Sequence, residues 1–223
     1  AEDYQTAEDT GENWRLLLGD SCERMSEIPD ESVDLSCYSP PFASLFTYSP
    51  TPRDLGNSAS RAEFFEHYKF IIDENLRITK PGRICAVHVQ QLTTTLSLHG
   101  VVGLTDFRGQ VINAYQESGW IFHGEVTVNK DPQAQAIRTK AQALMFVTKN
   151  KDSSKTRPAL ADYLLLFRKP GENQVAIKND VSNEEWIDWA QPVWLDIKET
   201  KVLNVRPGKG VGDERHIAAL QLD

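Results

Sequence analysis

Two adjacent prolines, Pro40 and Pro41, constrain the fold of this chain more than any other feature, because they follow an apolar run at residues 32–37. The run has the composition of a buried β-strand. Proline fixes φ at about −65° and removes a backbone N–H donor, so the strand cannot continue through the pair. The chain must therefore leave the sheet in a stiff loop. Loops at the carboxyl edge of an α/β sheet are common places for a binding or catalytic site.

Hydrophobic spacing after this loop predicts alternating helices and strands. Apolar side chains from Phe64 to Leu76 recur every three or four residues, which predicts an amphipathic helix that ends before a Pro-Gly turn at Lys80–Gly82. A second helix is expected from residue 107 to 114 and beyond. Strands are expected at 83–89, 120–122, 125–130 and 163–169. This alternation predicts an α/β domain with helices on both faces of its sheet.

The loop itself offers hydrogen-bond acceptors beside a flat aromatic ring. Ser39 brings a hydroxyl, Pro40 a carbonyl oxygen, and Phe42 a face on which a nucleobase can stack. The segment Ser39-Pro40-Pro41-Phe42 resembles the catalytic motif of the DNA amino-methyltransferases. The resemblance implies that these four residues are catalytic and that a methyl group passes from S-adenosyl-L-methionine to the exocyclic amine of a flipped base. Serine in this motif favours N4-cytosine as the target and leaves N6-adenine open.

The order of the segments resembles the permuted, beta-class members of that family, whose catalytic half precedes their cofactor half. Residues 16–22 are similar to the family's opening strand and Gly-Asp turn. The resemblance implies a Rossmann-like methyltransferase sheet with its catalytic half at 14–170 and the start of its cofactor half at 206–223. The family's glycine-rich cofactor loop would lie beyond residue 223, so we expect an incomplete sheet in a chain cut before that motif.

A glycine cluster at residues 207–212 does not replace the missing loop, because only eleven residues follow it and a βαβ unit needs a helix and a further strand there. By resemblance we assign three residues to S-adenosyl-L-methionine: Asp20, Tyr38 and His216. Asp20 would lie near the adenine of the cofactor. The alternative is that Asp20 caps a turn.

The charge of the chain is unevenly distributed, which bears on a nucleic-acid partner. The formal net charge is −8, and residues 1–31 carry ten acidic and two basic side chains. Residues 138–169 carry eight basic and two acidic side chains, and much of this stretch belongs to an insertion at 131–162 that is too long for a tight hairpin. We expect the insertion to hold the phosphates of double-stranded DNA through Arg138, Lys140, Lys155 and Arg157. The alternative is a solvated surface loop.

Both ends of the chain differ in character from the catalytic half. The acidic residues 1–13 are expected to be a disordered leader. Residues 171–205 contain Trp186, Trp189 and Trp194, whose spacing predicts a small helical lobe with a tryptophan core. This lobe lies where the family keeps its target-recognition region. The DNA sequence that it would recognise does not follow from residue types.

Composition excludes other classes of protein. No run of about 18 apolar residues predicts a membrane span, and no paired Cys or His spacing predicts a metal site. We expect free core thiols at Cys22, Cys37 and Cys85 in a reducing compartment, so the location is cytoplasmic. The resemblance implies a prokaryotic or phage protein concerned with DNA methylation and restriction-modification. The histidines, including His88 and His123, are interpreted as structural, because no Ser-His-Asp spacing accompanies them.

Three alternatives remain beside a self-sufficient DNA methyltransferase. The chain could be a catalytically incomplete fragment that binds DNA or a partner protein. It could methylate RNA or a protein amide, although those relatives usually have Asn or Asp where Ser39 stands. It could be an unrelated α/β domain, which would have to explain three family-like segments in the family's order. Binding of labelled cofactor separates the enzyme from the binding module.

Overall fold

The structure is a computed structural model, and it describes residues 5–43, 47–49, 51–139, 149–150, 152, 160–198 and 201. The strands and helices are, in chain order, β1 (Ala7–Gly11), β2 (Trp14–Leu18), α1 (Ser21–Met25), β3 (Val33–Tyr38), α2 (Arg61–Ile78), β4 (Thr79–Gln90), β5 (Leu92–Thr94), α3 (Leu96–His99), β6 (Gly103–Thr105), α4 (Phe107–Glu117), β7 (Ile121–Val128), α5 (Pro132–Thr139), β8 (Asp162–Arg168), α6 (Asn183–Trp189) and β9 (Val193–Trp194).

Five of the strands form one mixed sheet in the order β3-β4-β8-β7-β9, with β3 parallel to β4 and β7 parallel to β9. The expected α/β class is therefore confirmed. The chain divides into two compact units, and β4, β7 and β8 each contribute residues to both. The first unit comprises Ala1–His88, Gly109–Gly124 and Leu165–Asn179, and the second comprises Val89–Arg108, Glu125–Leu164 and Asp180–Asp223.

The longest helix, α2, supplies much of the core of the first unit. Ser60 caps its first turn, because the Ser60 hydroxyl accepts a hydrogen bond of 3.1 Å from the N–H of Glu63. Side chains at four-residue spacing along one face are fully buried: Phe64, Tyr68 and Ile72. The predicted helix is confirmed, and it passes directly into β4 at Thr79.

The strand before the two prolines is β3, and it ends at Tyr38 as the sequence predicts. Its predicted burial is wrong. No residue of β3 is buried, and Leu35 is 61% exposed. β3 stands at the end of the strand order, and successive side chains of a strand alternate between faces, so Leu35 and Cys37 share an exposed face. The expected core thiol at Cys37 is therefore wrong as well, whereas Cys85 is buried.

The expected Pro-Gly turn after α2 is a bulge inside β4. Val33 pairs with Thr79, and Leu35 pairs with Ile84. An advance of two residues along β3 is therefore matched by an advance of five residues along β4, which makes a bulge in β4. Gly82 occupies the bulge with φ of +73°, a conformation that favours glycine. A Cβ atom at this glycine would lie 2.6 Å from a main-chain nitrogen of the neighbouring segment. The bulge lets the strand continue where the sequence predicts a break.

The predicted disordered leader at residues 1–13 is wrong for β1. This strand pairs in antiparallel register with β2 over five residue pairs, and the ion pair between Arg15 and Glu8, 2.7 Å long, joins the two strands. The acidic composition of the segment indicates disorder, but it does not exclude a hairpin that pairs its backbone groups.

The segment 171–205, expected to be a tryptophan-centred lobe, is divided between the units: residues up to Asn179 belong to the first unit and those from Asp180 to the second. The predicted helix exists as α6, where Ser182 and Glu185 form a capping box. The predicted core is wrong, because Trp186 is 65% exposed and Trp189 is 58% exposed. A helix of seven residues followed by a two-residue strand is too small to enclose these side chains.

A buried ion pair in the second unit joins the two ends of the 131–162 insertion. The Lys130 side chain is completely buried, the Asp162 side chain is 9% exposed, and Lys130 Nζ lies 2.9 Å from Asp162 Oδ2. The two groups are close without the alignment of a hydrogen bond, so their attraction is mainly Coulombic. The pair joins the chain after β7 to the first residue of β8.

Candidate functional site

The loop that begins at Ser39 is positioned by the register of the first two parallel strands. Cys37 pairs with Ala86 and Tyr38 pairs with Val87, so Ser39 and His88 come next on the two strands. Parallel strands bring residues at equal register to the same edge of the sheet. The pairing of β3 with β4 thus brings the predicted catalytic serine beside a histidine that the sequence interpretation set aside.

His88 contacts both functional side chains of the loop. The Ser39 hydroxyl donates to the main-chain carbonyl of His88 over 3.1 Å, and His88 Nδ1 lies 3.2 Å from the same hydroxyl oxygen. The ring of Phe42 lies 6.0 Å from the imidazole, centroid to centroid, with the two planes tilted by 46°. Ser39, Phe42 and His88 therefore form one cluster, and each of the three is half-buried.

Tyr38 anchors the start of the loop in the core of the first unit. Its hydroxyl is hydrogen-bonded to the hydroxyl of Tyr68 at 2.8 Å and to that of Tyr115 at 2.5 Å. Burial raises the pKa of all three phenols, so they are neutral in the folded protein. Tyr115 also stacks on Phe167 with ring centroids 3.9 Å apart. The Tyr38 side chain is thus committed to the core, and a contact between this residue and a cofactor would fall to its backbone.

Cys85 lies against the same phenol cluster, with its sulfur 3.9 Å from the Tyr115 hydroxyl. Burial raises the pKa of this thiol to about 12. The thiolate is the nucleophilic form of cysteine, and it is not populated at neutral pH under these conditions. Cys85 is therefore a packing residue of this cluster.

Backbone strain follows directly after the aromatic residue of the loop. Ala43 has φ of +50° and is buried, a conformation that costs a non-glycine residue about 1–2 kcal/mol. A cavity of about 160 Å³ opens beside it, lined by Ala43 and residues 58–61 at the start of α2. The strained residue and the cavity lie side by side, directly after the aromatic residue of the loop.

Asp20 lies at the turn between β2 and α1 and uses both carboxylate oxygens within the protein. One oxygen accepts from the N–H of Cys22 over 2.9 Å, which caps α1. The other lies 2.8 Å from a guanidinium nitrogen of Arg53. Asp20 therefore caps the turn before α1, which is the alternative role that the sequence left open. Because a carboxylate has about four lone-pair sites, Asp20 also retains acceptor capacity for a cofactor hydroxyl or amine.

Arg53 reaches Asp20 from a loop that Asp54 holds together. The Asp54 carboxylate accepts hydrogen bonds from the backbone N–H groups of Tyr48, Ser49 and Gly56 at 2.6–2.8 Å. Arg53 also contacts Glu23 at 2.6 Å, so one guanidinium bridges two acidic groups. The sequence predicts neither contact, since both join segments about 30 residues apart.

Several predicted site residues fall where the structure makes no statement. Lys140, Lys155, Arg157 and His216 lie outside the described residues, as does the glycine cluster at 207–212. Arg138 belongs to α5, but its side chain is not described. The roles of these residues in binding DNA or cofactor stay predictions. Within the described ranges, no group of three or more metal-ligating side chains occurs, and no helix there has both the length and the apolar character to cross a membrane.

The mixed sheet and its helices have the Rossmann-like fold of the S-adenosyl-L-methionine-dependent methyltransferases. A proposed DNA modification methylase from Thermus thermophilus, in complex with S-adenosyl-L-methionine, aligns with a TM-score of 0.60 and 17% identity, over 81% of this chain and 65% of that chain. A selenomethionine derivative of that methylase aligns with a TM-score of 0.57 and 17% identity, over 80% of this chain and 65% of that chain. This chain thus spans just under two thirds of that protein.

The PvuII cytosine-N4-specific DNA methyltransferase aligns with a TM-score of 0.47 and 21% identity, over 69% of this chain and 49% of that chain. That similarity is too low to support an argument about the fold. No protein-family model matches the chain, and a search of curated proteins gave no match. The solved structures therefore establish the kind of fold, and the chemistry has to be argued from the residues of the site.

Proposed function

We propose that this protein transfers a methyl group from S-adenosyl-L-methionine to the exocyclic amine of a base flipped out of double-stranded DNA, with N4-cytosine favoured over N6-adenine. The observation that carries the proposal is the cluster at the end of β3, where Ser39 and Phe42 both contact His88. The fold shared with a DNA modification methylase supports the same conclusion.

The residues of the loop have complementary tasks in this reaction. Phe42 would stack on the flipped base and hold its plane. The Ser39 hydroxyl oxygen and the Pro40 carbonyl would each accept a hydrogen from the amino group. These two bonds weaken conjugation between the nitrogen lone pair and the ring, because they favour a pyramidal nitrogen. Positioning and fixed dipoles would thus supply most of the rate enhancement.

The site contains no charged base at the serine position. A serine hydroxyl does not ionise at neutral pH, so the amine would lose its proton after the methyl group arrives. S-adenosyl-L-methionine, when bound, supplies a methyl group on a positively charged sulfur. Asp20, Tyr38 and His216 remain the proposed residues for holding it, with Tyr38 contributing its backbone.

The proposal also assigns DNA contacts to two segments outside the loop. The basic insertion at 131–162 would hold DNA phosphates through Arg138, Lys140, Lys155 and Arg157, and the lobe at 171–205 would contact the recognition sequence. The exposed faces of Trp186 on α6 suit contact with a partner better than burial in a core. A cytoplasmic role in restriction-modification belongs to this proposal as well.

Transfer of isotopically labelled methyl groups tests the proposal. The protein is incubated with labelled S-adenosyl-L-methionine and mixed-sequence unmethylated DNA, and the DNA is then digested to nucleosides for mass spectrometry. We expect label on N4-methylcytosine, and its loss in Ser39→Ala. Ser97→Ala is the matched control, because Ser97 is an exposed residue of α3.

The outcomes separate the alternatives. Label on N6-methyladenine keeps the mechanism and changes the base. Label on RNA or a protein amide, offered in parallel, overturns the choice of substrate. Absence of label from all three, while the protein still binds DNA, overturns the self-sufficient enzyme and favours the binding module.

A further inference from the structure

Two atoms of His88 contact a single hydroxyl group. The Ser39 oxygen lies 3.1 Å from the main-chain carbonyl oxygen of His88 and 3.2 Å from Nδ1 of the His88 ring. The nitrogen–oxygen distance is at the upper limit for a hydrogen bond, and the oxygen–oxygen distance is slightly longer than the usual range of about 2.5–3.0 Å. The same residue thus meets Ser39 once through its backbone and once through its side chain.

A count of hydrogens determines how both contacts can be satisfied. The Ser39 hydroxyl has one hydrogen, and the carbonyl oxygen of His88 can only accept. If the hydroxyl donates to that carbonyl, then Nδ1 must donate to the hydroxyl oxygen. In that arrangement Nδ1 carries a hydrogen, both in the neutral imidazole and in the imidazolium.

We propose that His88 is a positioning residue that fixes the orientation of the Ser39 hydroxyl through a protonated Nδ1. In this arrangement the Ser39 oxygen donates to the His88 carbonyl, accepts from Nδ1–H and keeps one lone pair for an incoming N–H group. The Phe42 ring contacts the same imidazole, so His88 also supports the stacking face of the loop. The hydrogen arrangement stands independently, whereas its effect on methyl transfer rests on the proposed function.

The histidine acts here as a donor of fixed direction and not as a base. Without Nδ1–H, the main-chain carbonyl of His88 alone would orient the Ser39 hydroxyl, and the Ser39 oxygen would lose the donor that holds one of its two lone pairs. Displacement of a positioning group by about 1 Å can lower a rate by about a hundredfold. An asparagine at position 88 can place an amide N–H near the position of Nδ1, whereas a leucine cannot.

The first test measures the hydrogen arrangement and requires no enzymatic activity. Nitrogen-15 NMR distinguishes the protonated from the unprotonated ring nitrogen of each histidine, and loss of a signal in His88→Asn assigns His88. We expect hydrogen on Nδ1 in the neutral His88 ring, and a shift toward the Nε2–H form in Ser39→Ala. His123, an exposed residue of β7, is the control and should not respond. A neutral His88 ring with hydrogen on Nε2, or a tautomer unchanged in Ser39→Ala, overturns the proposal.

The second test measures the kinetic consequence. For His88→Leu we expect kcat to fall about 10- to 100-fold, with the KM for DNA within about twofold of the original value. His88→Asn should restore most of kcat, and His123→Leu should change neither constant. Thermal unfolding of each variant shows whether the protein still folds. A kcat for His88→Leu that equals that of the unsubstituted protein overturns the positioning role.

The results of these two tests distinguish an error in the positioning proposal from an error in the proposed function. If the unsubstituted protein methylates DNA but the His88 tautomer is unchanged in Ser39→Ala, the positioning proposal is wrong and the proposed enzymatic function is retained. If the tautomer responds as expected but no methyl group is transferred, the hydrogen arrangement stands and the proposed function is wrong.

Discussion

Removing single hydroxyl groups from the buried tyrosine cluster should destabilise the protein in a defined order. Tyr38 is the hub of the cluster, because its hydroxyl lies 2.8 Å from that of Tyr68 and 2.5 Å from that of Tyr115. The other two hydroxyls are 3.5 Å apart, at the limit of a hydrogen bond. The substitution of each tyrosine by phenylalanine leaves the ring in place and removes only the contacts of its hydroxyl, which for Tyr115 include the Cys85 sulfur at 3.9 Å.

The distances between the hydroxyl groups give the expected losses in the free energy of unfolding. A buried hydrogen bond contributes about 0.5–1.5 kcal/mol, and a buried polar group left without a good partner costs about 1–3 kcal/mol. Tyr115→Phe removes one short bond and leaves Tyr38 paired with Tyr68, so we expect a loss of about 1–2 kcal/mol. Tyr38→Phe leaves the Tyr68 hydroxyl with its 3.5 Å contact to Tyr115, and the Tyr115 hydroxyl with that contact and the Cys85 sulfur, so we expect about 2–3 kcal/mol. For a chain of this size each kcal/mol corresponds to about 2–4 °C in Tm.

Urea and thermal unfolding followed by circular dichroism measure these losses. Tyr48→Phe is the control, since Tyr48 is 41% exposed and its substitution should change the free energy of unfolding by less than about 0.5 kcal/mol. Equal losses for Tyr38→Phe and Tyr115→Phe would refute the hub arrangement. A loss for both below about 0.5 kcal/mol would refute the account of the cluster as a whole.

Three further predictions concern buried charge, backbone strain and pH. Asp162→Ala should cost about 3–5 kcal/mol because it leaves the buried Lys130 ammonium unpaired, whereas a double variant with apolar residues at both positions should unfold in urea close to the original midpoint. Gly82→Ala should lower Tm by several degrees, because residue 82 has φ of +73° and the new Cβ would lie 2.6 Å from a main-chain atom. Gly124→Ala has open space for its Cβ and should cost about 1 kcal/mol or less. Equal losses of stability for the two variants would contradict the account of the bulge. The folded pKa of Cys85 is raised to about 12, so its contribution to stability is complete below the unfolded thiol value of 9.0 and falls as pH rises through and above that value, by at most about 1.4 kcal/mol per pH unit. In urea titrations Cys85→Ala should reduce the loss of stability between about pH 9 and 10 by about 1 kcal/mol and leave the part due to Cys22 and the three buried tyrosines, whose pKa values are also raised.

Local patterns in the sequence predict most of the elements that carry the site. The apolar run and the two prolines predict a strand that ends at Tyr38, and the spacing from Phe64 to Leu76 predicts α2. These features depend on neighbours within a few residues, and the physics of proline and of helical periodicity acts at that range. The exposure of Leu35 is different, because burial depends on what packs against a strand and not on the strand's own composition.

The cluster around Ser39 depends on contacts that local patterns do not contain. His88 meets Ser39 only because β3 and β4 are parallel and in a particular register, 49 residues apart in the chain. That register could have been proposed from the two strands, since both end at the same edge of the sheet. The bulge around Gly82 hides it, because three extra residues in β4 shift every later pair.

The rate of methyl transfer with and without the Ser39 hydroxyl tests the central claim most directly. Single-turnover transfer from labelled S-adenosyl-L-methionine to unmethylated DNA is compared for the unsubstituted protein, Ser39→Ala and the surface control Ser97→Ala. The account predicts transfer by the unsubstituted protein and by the control, and a rate for Ser39→Ala lower by a factor on the order of 10² to 10³. A Ser39→Ala rate within about twofold of the control would contradict the assignment of this loop as the site of methyl transfer.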